Sequence, residues 1–539
     1  MFQRRLFPAG VLLSRPDPDR MTSVTASPDT PPTQPQSEFV KAMTLTDATM
    51  LVAGIMIGSG IFIVSADIAR KVESPAMLLL AWLLTGVITM LGALAYGELA
   101  AMFPRAGGQY VFLRESMGPL PAFLYGWTLF VVIQTGTIAA VAVAFGRFAG
   151  VLFPAISVDM YSWFPSAPVC VAALGCRDPA QAITLGLNPQ RLLALVSIVV
   201  LTWINLRGVR EGKFVQTTFT VAKTGALILL ILLALTIGRN QTAIAANFTG
   251  GSFFGDVDVT GAFVVAFGAA LVGSLFASDA WNNVTFAAAE VQNPQRNLPL
   301  ALVLGTGMVS LLYILANLGY MSVLPVQGAP AAETAIGRGI AFATEDRVGT
   351  AAMEVMFGSL GATVMAVAIL VSVFGCNNGL ILAGGRVFYA MARDGLFFRK
   401  AGTLNHNRVP ATALVLQAVW TALLCLTGTY GQLLNYVIFA ALVFYVLTTI
   451  GLFMLRVKRP DIPRPYKAIG YPVLPALYIM LAGGVMLLIL LSPTSRTEAV
   501  SGLVLVLIGI PVYYLWRKVE GDRPPPPPAP ADAIPRTSP

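Results

Sequence analysis

Two stretches of small and polar residues interrupt apolar segments that are long enough to be membrane helices. The first stretch is Gly58-Ser59-Gly60, and the second is Ser278-Asp279-Ala280-Trp281-Asn282-Asn283. Inside a bilayer every backbone N–H and C=O needs a partner, so irregular backbone persists only beside protein, a ligand or a water-filled cavity. The N–H groups freed at a helix break attract an anion, and the freed carbonyls attract a cation. The two breaks therefore predict one binding site for a ligand that carries both charges.

The composition is that of an integral membrane protein. Hydrophobic residues make up 56% of the 539 residues, charged residues 11%, and the mean hydropathy is +0.74, whereas soluble domains contain about 25% charged residues. The single histidine and the four cysteines show no metal-ligand spacing, and we expect no metal and no cofactor. Basic residues are spread over many loops, which argues against nucleic acid as a partner. No nucleophile with a nearby base is visible, so we do not expect an enzyme.

A hydropathy window of about 20 residues predicts an all-α membrane protein with twelve transmembrane helices. The predicted spans are 47–69, 76–102, 119–153, 191–206, 214–237, 259–291, 299–323, 355–392, 410–427, 431–455, 470–491 and 498–516. With the N-terminus in the cytoplasm, most loop arginines and lysines lie on the inner side, as the positive-inside rule requires. We expect a multi-pass protein of the plasma membrane, or of the inner membrane in a bacterium, with both termini cytoplasmic.

Both ends of the chain differ in composition from the apolar middle. Residues 1–40 are rich in Pro, Ser, Thr and Asp, and a proline run begins at Pro524. Segments of this kind bury too little apolar area to fold. We predict one membrane domain at 41–517, between a disordered cytoplasmic tail at 1–40 and a proline-rich disordered cytoplasmic tail at 518–539.

The two breaks fall in the first and the sixth predicted span. A repeat of five helices, inverted between the two halves, would place these spans in equivalent positions with their breaks near the middle of the membrane. No internal sequence similarity is visible, so the position of the breaks alone predicts the repeat.

A series of short motifs occurs in a fixed order between residues 40 and 517. The motifs are Gly54–Phe62, Glu98 with Phe103–Gly108, Asn205–Gly208 leading to Lys223, Phe276–Asn282, Glu290 with Pro294–Pro299, and Phe374–Arg386. Together they resemble the amino acid/polyamine/organocation (APC) superfamily, in particular its L-type amino acid transporter (LAT) branch. The resemblance implies a LeuT-like inverted-repeat fold with discontinuous helices 1 and 6, and a transporter domain at 41–517. It also implies a secondary active transporter that moves an α-amino acid by alternating access, as a sodium-independent exchanger or a proton-linked permease.

The resemblance assigns a role to each break. The N–H groups at the first break would bind the substrate α-carboxylate, because glycine allows close approach to a helix N-terminus. Carbonyls near Met56, Phe276 and Asp279 would accept hydrogen bonds from the α-ammonium group, and Phe276 would act as an aromatic gate. Core packing is the alternative for the aromatic residues, and bonding to unwound backbone or to a neighbouring helix is the alternative for Asn282. The predicted substrate-binding residues are Met56, Gly58, Ser59, Gly60, Phe276, Ala277, Ser278, Asp279 and Asn282.

Asp279 departs from the LAT pattern, in which glycine is common at this position. A carboxylate inside the membrane costs about 2.5 to 3.5 kcal/mol on insertion scales and is a functional candidate by default. Asp279 could bind the α-ammonium group, favour a cationic side chain or carry a proton in coupling. A structural carboxylate tied to Asn283, Thr285 or backbone N–H groups is the alternative. We expect a neutral substrate; the alternatives are a cationic amino acid or polyamine carrier and a membrane sensor that binds amino acids without transport.

Lys223 lies within the apolar fifth span. In the transporters that this chain resembles, a lysine here stands where sodium-coupled relatives bind sodium, between the first and eighth helices. A fixed ammonium group would replace that cation, so we expect sodium independence and a coupling role for Lys223. The alternatives are a proton carrier and a lysine that snorkels to the interface.

Four charged residues lie near the predicted cytoplasmic ends of spans: Glu98, Arg105, Glu290 and Arg386. We expect them to form ion pairs that close the inner gate, with simple interfacial anchoring as the alternative.

The expected partners are the amino acid substrate and the lipid bilayer. Animal LAT-type carriers also pair with a single-span glycoprotein through a cysteine in the loop between spans three and four. Cys170 and Cys176 occupy this loop, so we expect such a partner only if the protein comes from an animal.

Overall fold

The computed structural model describes residues 39–156, 167–169, 183–249, 253–255, 257–427 and 430–520. Cys170, Cys176 and nearly all of the predicted tails at 1–40 and 518–539 lie outside the described residues. At the described edges of those tails, Phe39 is buried and the last helix continues to Glu520.

Helices form most of the described chain. They are α1 (Leu45–Met56), α2 (Gly60–Val72), α3 (Pro75–Met102), α4 (Gln109–Met117), α5 (Pro119–Thr128), α6 (Gln134–Leu152), α7 (Pro189–Arg207), α8 (Val209–Leu235), α9 (Gln241–Phe248), α10 (Gly261–Ala277), α11 (Pro294–Val323), α12 (Ala335–Arg338), α13 (Val348–Arg393), α14 (Ala411–Thr427), α15 (Tyr430–Lys458), α16 (Val473–Leu491) and α17 (Arg496–Glu520). A π-helical turn, Leu129–Ile133, joins α5 to α6. Each of the twelve predicted spans coincides with one or two of these helices.

Eleven of the predicted spans are long and apolar enough to cross a membrane in the described chain. Ten are helical segments that pass this test alone, and the eleventh is the bent pair of α1 and α2. The remaining predicted span, 410–427, corresponds to α14, whose apolar part Ala411–Leu426 is shorter. The number twelve therefore stays a prediction, whereas the all-α membrane fold is confirmed. One small exception lies between α6 and α7, where β1 (Ala167–Val169) pairs antiparallel with β2 (Ile183–Leu185).

The first span is broken where the sequence predicts it. Thr44 and Asp47 form a capping box that begins α1, which satisfies otherwise unpaired N–H groups. The helix ends at Met56, and α2 begins at Gly60 with an axis that differs by 42°. Glycine is a poor helix former, and a side chain at Gly60 would lie only 2.6 Å from the Ala277 Cβ atom. The glycine thus allows the first break to approach the sixth span.

The sixth span is also discontinuous. Helix α10 ends at Ala277, and Ala280 adopts a left-handed backbone conformation with φ 59°. Two short 3₁₀ turns follow, Trp281–Thr285 and Ala288–Glu290. The predicted discontinuities in helices 1 and 6 are therefore both confirmed.

The helix contacts have the symmetry that the predicted repeat requires. Spans 2 and 7 (α3 and α11) pack together, as do spans 3 and 8 (α6 and α13). Span 5 packs on span 8 (α8 on α13), and the equivalent contact joins span 10 to span 3 (α15 to α6). Similarly, α1 packs on α11, and its equivalent α10 packs on α3. Exchanging the two sets of five spans reproduces these contacts, as expected for a LeuT-like fold.

Candidate functional site

The two breaks face each other across one cavity. Most of the predicted substrate-binding residues line it, together with side chains from α6 and α13. The lining residues are Ile55, Met56, Gly58, Ser59, Gly60, Thr137, Val141, Phe276, Ala277, Asp279, Ala280 and Cys376. Ser278 and Asn282 line adjoining cavities instead. The fold thus brings together segments that are more than 200 residues apart in the sequence.

Lys223 satisfies the carbonyl groups that the first break leaves without helical partners. Its Nζ donates hydrogen bonds to the carbonyl oxygens of Gly54, Ile57 (2.8 Å) and Ser372 (3.2 Å). An ammonium group has three N–H donors, and here each meets one carbonyl. The side chain is 1% exposed, which argues against snorkelling. Lys223 therefore joins α8, the end of α1 and α13.

Two residues of α13 that were not predicted also bind the end of α1. The Ser372 hydroxyl lies 3.2 Å from the Ile57 carbonyl oxygen and 3.3 Å from that of Gly58, and the Cys376 thiol donates to the Ile55 carbonyl oxygen (2.9 Å). Ser372 carried no signal beyond its place in an apolar span, and Cys376 lies within the Phe374–Arg386 motif, which assigned it no role.

Asp279 is held by a tyrosine from α15. The Tyr445 hydroxyl donates to Asp279 Oδ1 at 2.6 Å and also lies 3.2 Å from Asn282 Oδ1. The two side chains considered from the sequence are engaged elsewhere, because Asn283 donates to Gln134 and Thr285 donates to the Asn282 carbonyl, whereas the Ala280 backbone N–H does bond to Asp279. Tyr445, which the sequence analysis missed, is therefore the main side-chain partner of this carboxylate.

Three cavities meet at Asp279. Beside the cavity between the breaks, a second extends toward α3, α15 and α16, and a third toward α4, α5 and the π-helical turn. Asp279 lines all three and is 7% exposed. A charge at this junction acts on any ligand that extends from the breaks into either neighbouring cavity.

Asn282 connects the second break to α4 and α15. Its amide nitrogen donates to Gln109 Oε1 (2.7 Å), and Gln109 in turn donates to the Thr448 hydroxyl (3.0 Å). Asn282 is therefore bonded to a neighbouring helix, which was the structural alternative, while it also lines the third cavity.

The two aromatic residues near the second break have different surroundings. Phe276 lines the cavity between the breaks, where an aromatic gate is predicted. Trp281 packs against Tyr96 and Tyr445, with ring centroids 4.8 Å and 5.5 Å apart, and it lines the second cavity. Trp281 thus packs against Tyr445, the residue whose hydroxyl donates a hydrogen bond to Asp279.

The four predicted gate residues are divided among separate ion pairs. Glu290 pairs with Arg386 at 2.9 Å, and both side chains are buried. Glu98 is fully buried and pairs with Arg456 at 2.5 Å. Arg105 joins neither pair: its side chain is 68% exposed, and it lies 3.9 Å from Glu115.

The chain that precedes α1 is attached to the end of the sixth span. The Met43 N–H donates to the Glu290 carbonyl (3.0 Å), and the Gln292 N–H donates to the Met43 carbonyl (2.8 Å), which forms a parallel bridge. The Phe39 ring packs edge-on against Tyr389 of α13. These contacts and the Glu290 ion pair connect the chain before α1, the end of the sixth span and α13.

The other end of the first span is held by the loop between α11 and α13. Arg70, near the end of α2, forms an ion pair with Asp346 (2.7 Å) and donates to the Ala341 carbonyl (2.6 Å). Gln327 donates to the Ala69 carbonyl (3.0 Å). Contacts therefore hold both halves of the first span at the ends away from the break.

Among the described residues, no group of three or more His, Cys, Asp or Glu side chains is placed to hold a metal ion.

A helical membrane protein whose two broken spans share a buried cavity has the architecture of a secondary transporter. The family model for amino acid permeases matches residues 43–512. The b(0,+)-type amino acid transporter 1 of Rattus norvegicus is 30% identical over 487 residues, which cover 90% of each chain. The large neutral amino acids transporter small subunit 2 of Mus musculus is 30% identical over 482 residues, 88% of this chain and 81% of that one. The chain belongs to the amino acid permease family, in the LAT-like branch of the APC superfamily.

Gly60→Ala tests the close approach of the two breaks. The new methyl group would lie 2.6 Å from Ala277 Cβ and 2.8 Å from its Cα, so the backbone of one break must move. We expect amino acid exchange in proteoliposomes to fall at least about tenfold, since misplacement by about 1 Å can cost about 100-fold. Gly225→Ala is the matched control, because a Cβ atom there meets nothing within 4 Å. Equal activity of the two variants would contradict the prediction.

Glu290→Gln tests the buried gate pair. The substitution leaves the Arg386 guanidinium buried without a counterion, and loss of one partner of a buried pair costs about 3–5 kcal/mol. We expect a lower melting temperature of the purified protein and slower exchange. Arg105→Gln is the control, because exposed pairs contribute only about 0–1 kcal/mol. A Glu290→Gln protein as stable and active as the control would show that the pair has no gating or structural role.

Proposed function

We propose that the protein is a sodium-independent exchanger of α-amino acids, with neutral amino acids as its main substrates. The observation that carries the proposal is a cavity that both helix breaks line. Contacts lie at both ends of the first span: the Met43 bridge before α1, and the Arg70–Asp346 ion pair near the end of α2. Alternating access would open these contacts in turn.

The first break offers a binding position for the substrate carboxylate. Helix α2 begins at Gly60, directly after the break. Backbone N–H groups and the positive end of the helix dipole there favour an anion. The substrate α-carboxylate would bind at this N-terminus.

The C-terminal ends of α1 and α10 offer a binding position for the substrate ammonium group. Both helices end at this cavity, with Met56 and Ala277 as their last residues. Carbonyl oxygens point from a helix C-terminus and favour a cation. A zwitterionic amino acid matches both positions, whereas a polyamine lacks the carboxylate that α2 would bind.

The names of the relatives support the same substrate class. They describe one relative as an amino acid transporter and the other as a transporter of large neutral amino acids. For this chain, transport of neutral amino acids is our proposal, as is a plasma-membrane location with both termini in the cytoplasm.

A partner subunit is a further proposal. The name of the second relative calls it a small subunit, which implies assembly with another chain. A covalent link in this protein would use Cys170 or Cys176, which lie outside the described residues, and we propose it only for an animal protein.

The charged second break favours one alternative substrate class. Asp279 lines all three cavities, so a cationic side chain that extends from the breaks would meet a carboxylate. A cationic amino acid carrier is therefore the second candidate.

Exchange of labelled amino acids in proteoliposomes separates these possibilities. The wild type and Asp279→Gly are compared with neutral and cationic amino acids, with and without a pH gradient. We expect exchange of neutral amino acids by both proteins, and a cationic-to-neutral ratio at least about fivefold lower in Asp279→Gly, because an opposite charge at short range stabilises the cation.

Tyr445→Phe is the control, because it removes the hydrogen bond to Asp279 and retains the carboxylate. An unchanged substrate profile and pH response in Asp279→Gly would remove Asp279 from both selectivity and coupling. Binding without any uptake or exchange by the wild type would indicate a sensor and overturn the proposal.

Replacement of sodium by choline tests the role of Lys223. Because its ammonium group already donates to two carbonyls at the first break and to that of Ser372 in α13, we expect wild-type exchange to be equal in the two salts. Lys223→Met leaves those buried carbonyls without their donor, and we expect exchange to fall at least about tenfold. Lys71→Met is the control, since Lys71 forms a partly exposed pair with Asp67. A wild-type requirement for sodium would contradict the prediction.

A further inference from the structure

Tyr313 of α11 contacts both helix breaks through its hydroxyl group. The hydroxyl oxygen lies 2.8 Å from the Met56 carbonyl oxygen, at the end of α1, and 3.1 Å from the Ala277 carbonyl oxygen, at the end of α10. The side chain is 1% exposed, and its ring packs edge-on against Trp82, with centroids 5.3 Å apart. The motifs of the sequence did not include this residue.

The hydroxyl group can satisfy only one of these two carbonyls at a time, because it has a single hydrogen to donate. A carbonyl oxygen has two lone pairs. The Met56 carbonyl accepts from the Gly58 N–H (2.9 Å) as well as from Tyr313. While Tyr313 donates to Met56, both lone pairs of that carbonyl are in use, and the Ala277 carbonyl does not receive the hydroxyl hydrogen.

We propose that Tyr313 is a positioning residue that links substrate binding at the first break to the end of the sixth span. The inference rests on the proposed function, in which the substrate α-ammonium group binds at the Met56 carbonyl. An ammonium group that binds there takes the place of the hydroxyl hydrogen. Tyr313 then rotates its O–H bond and donates to Ala277, whose carbonyl is already within hydrogen-bond distance.

The new hydrogen bond would attach α10 to a helix that is already bound to the other half of the first span. Asn317, one turn beyond Tyr313, donates to the Tyr313 carbonyl (2.8 Å), and its side-chain oxygen accepts from the Ser65 hydroxyl of α2 (2.7 Å). Helix α11 and α2 are thereby connected. A bound substrate would strengthen the contact between α10 and this pair, because Tyr313 would then donate to Ala277 alone.

A hydrogen bond that strengthens when substrate binds changes the relative stability of the carrier's conformations. A ligand shifts a conformational equilibrium only through interactions that differ between the states. Tyr313 provides such a difference, because its donor changes partner when the site is filled. This property suits an exchanger, in which the carrier must change between its inward-open and outward-open conformations more readily with substrate bound than without it.

Tyr313→Phe removes the hydroxyl group and keeps the ring against Trp82. Two quantities are measured on the same protein: the rise in melting temperature with added amino acid, which reports binding, and the rate of exchange in proteoliposomes. We expect the binding constant to remain within about threefold of the wild type, because the ammonium group no longer competes for the Met56 carbonyl. We expect the maximal exchange rate to fall about tenfold, as for loss of one coupling hydrogen bond.

Tyr320→Phe is the matched control on the same helix. Tyr320 is fully buried, and its hydroxyl has no hydrogen-bond partner among the residues that the structure describes. Removing this hydroxyl should leave both binding and exchange at wild-type values. A general effect of losing a buried hydroxyl from α11 would appear in both variants, whereas the proposed link affects Tyr313→Phe alone.

Two outcomes would overturn the inference: exchange by Tyr313→Phe at the control rate, or a loss of amino acid binding as large as the loss of exchange. The second outcome would assign Tyr313 to the stability or shape of the site. Failure of the proposed function is a different result, because a wild-type protein without amino acid exchange would show it before any variant is compared.

Discussion

The structure depends on the requirement that carbonyl groups at the end of α1 find hydrogen-bond donors inside the membrane. A helix end leaves four carbonyls without helical partners, and an unsatisfied group in hydrocarbon costs several kcal/mol. Lys223, Tyr313, Ser372 and Cys376 supply donors to this segment. They come from α8, α11 and α13, so these three helices must meet at the first break. The packing of spans 5, 7 and 8 around span 1 follows from that requirement.

The second break is satisfied in a different way. Its polar side chains, rather than its backbone alone, form the contacts: Asp279 and Asn282 bond to Tyr445 and Gln109. The first break therefore presents a surface of backbone groups, which suits the constant part of any α-amino acid. The second presents side chains, which can differ between related proteins without disturbing the helix ends. This division separates recognition of the common zwitterion from selection among side chains.

The sequence predicted the spans and both breaks, because each depends on local composition: long apolar runs, and small or polar residues within them. It did not predict Tyr445, Tyr313 or Ser372, since an almost uniformly apolar helix does not reveal which of its faces meets a polar neighbour. The sequence also did not show which charged residues pair with each other. Glu98 lies 358 residues from Arg456 in the sequence, and only the fold shows that they pair while Arg105 remains exposed.

Helix α1 lies between the first break and the bridge that joins Met43 to the end of the sixth span, so a rotation of α1 at the break is amplified at the bridge. The helix has twelve residues, a length of about 18 Å at a rise of about 1.5 Å per residue. A rotation of only about 10° at the break would move the far end of a lever of that length by roughly 3 Å, more than a hydrogen bond tolerates. Both bonds of the bridge would then break together. A small rearrangement around a bound molecule would thereby break the two bridge hydrogen bonds together, and not one after the other.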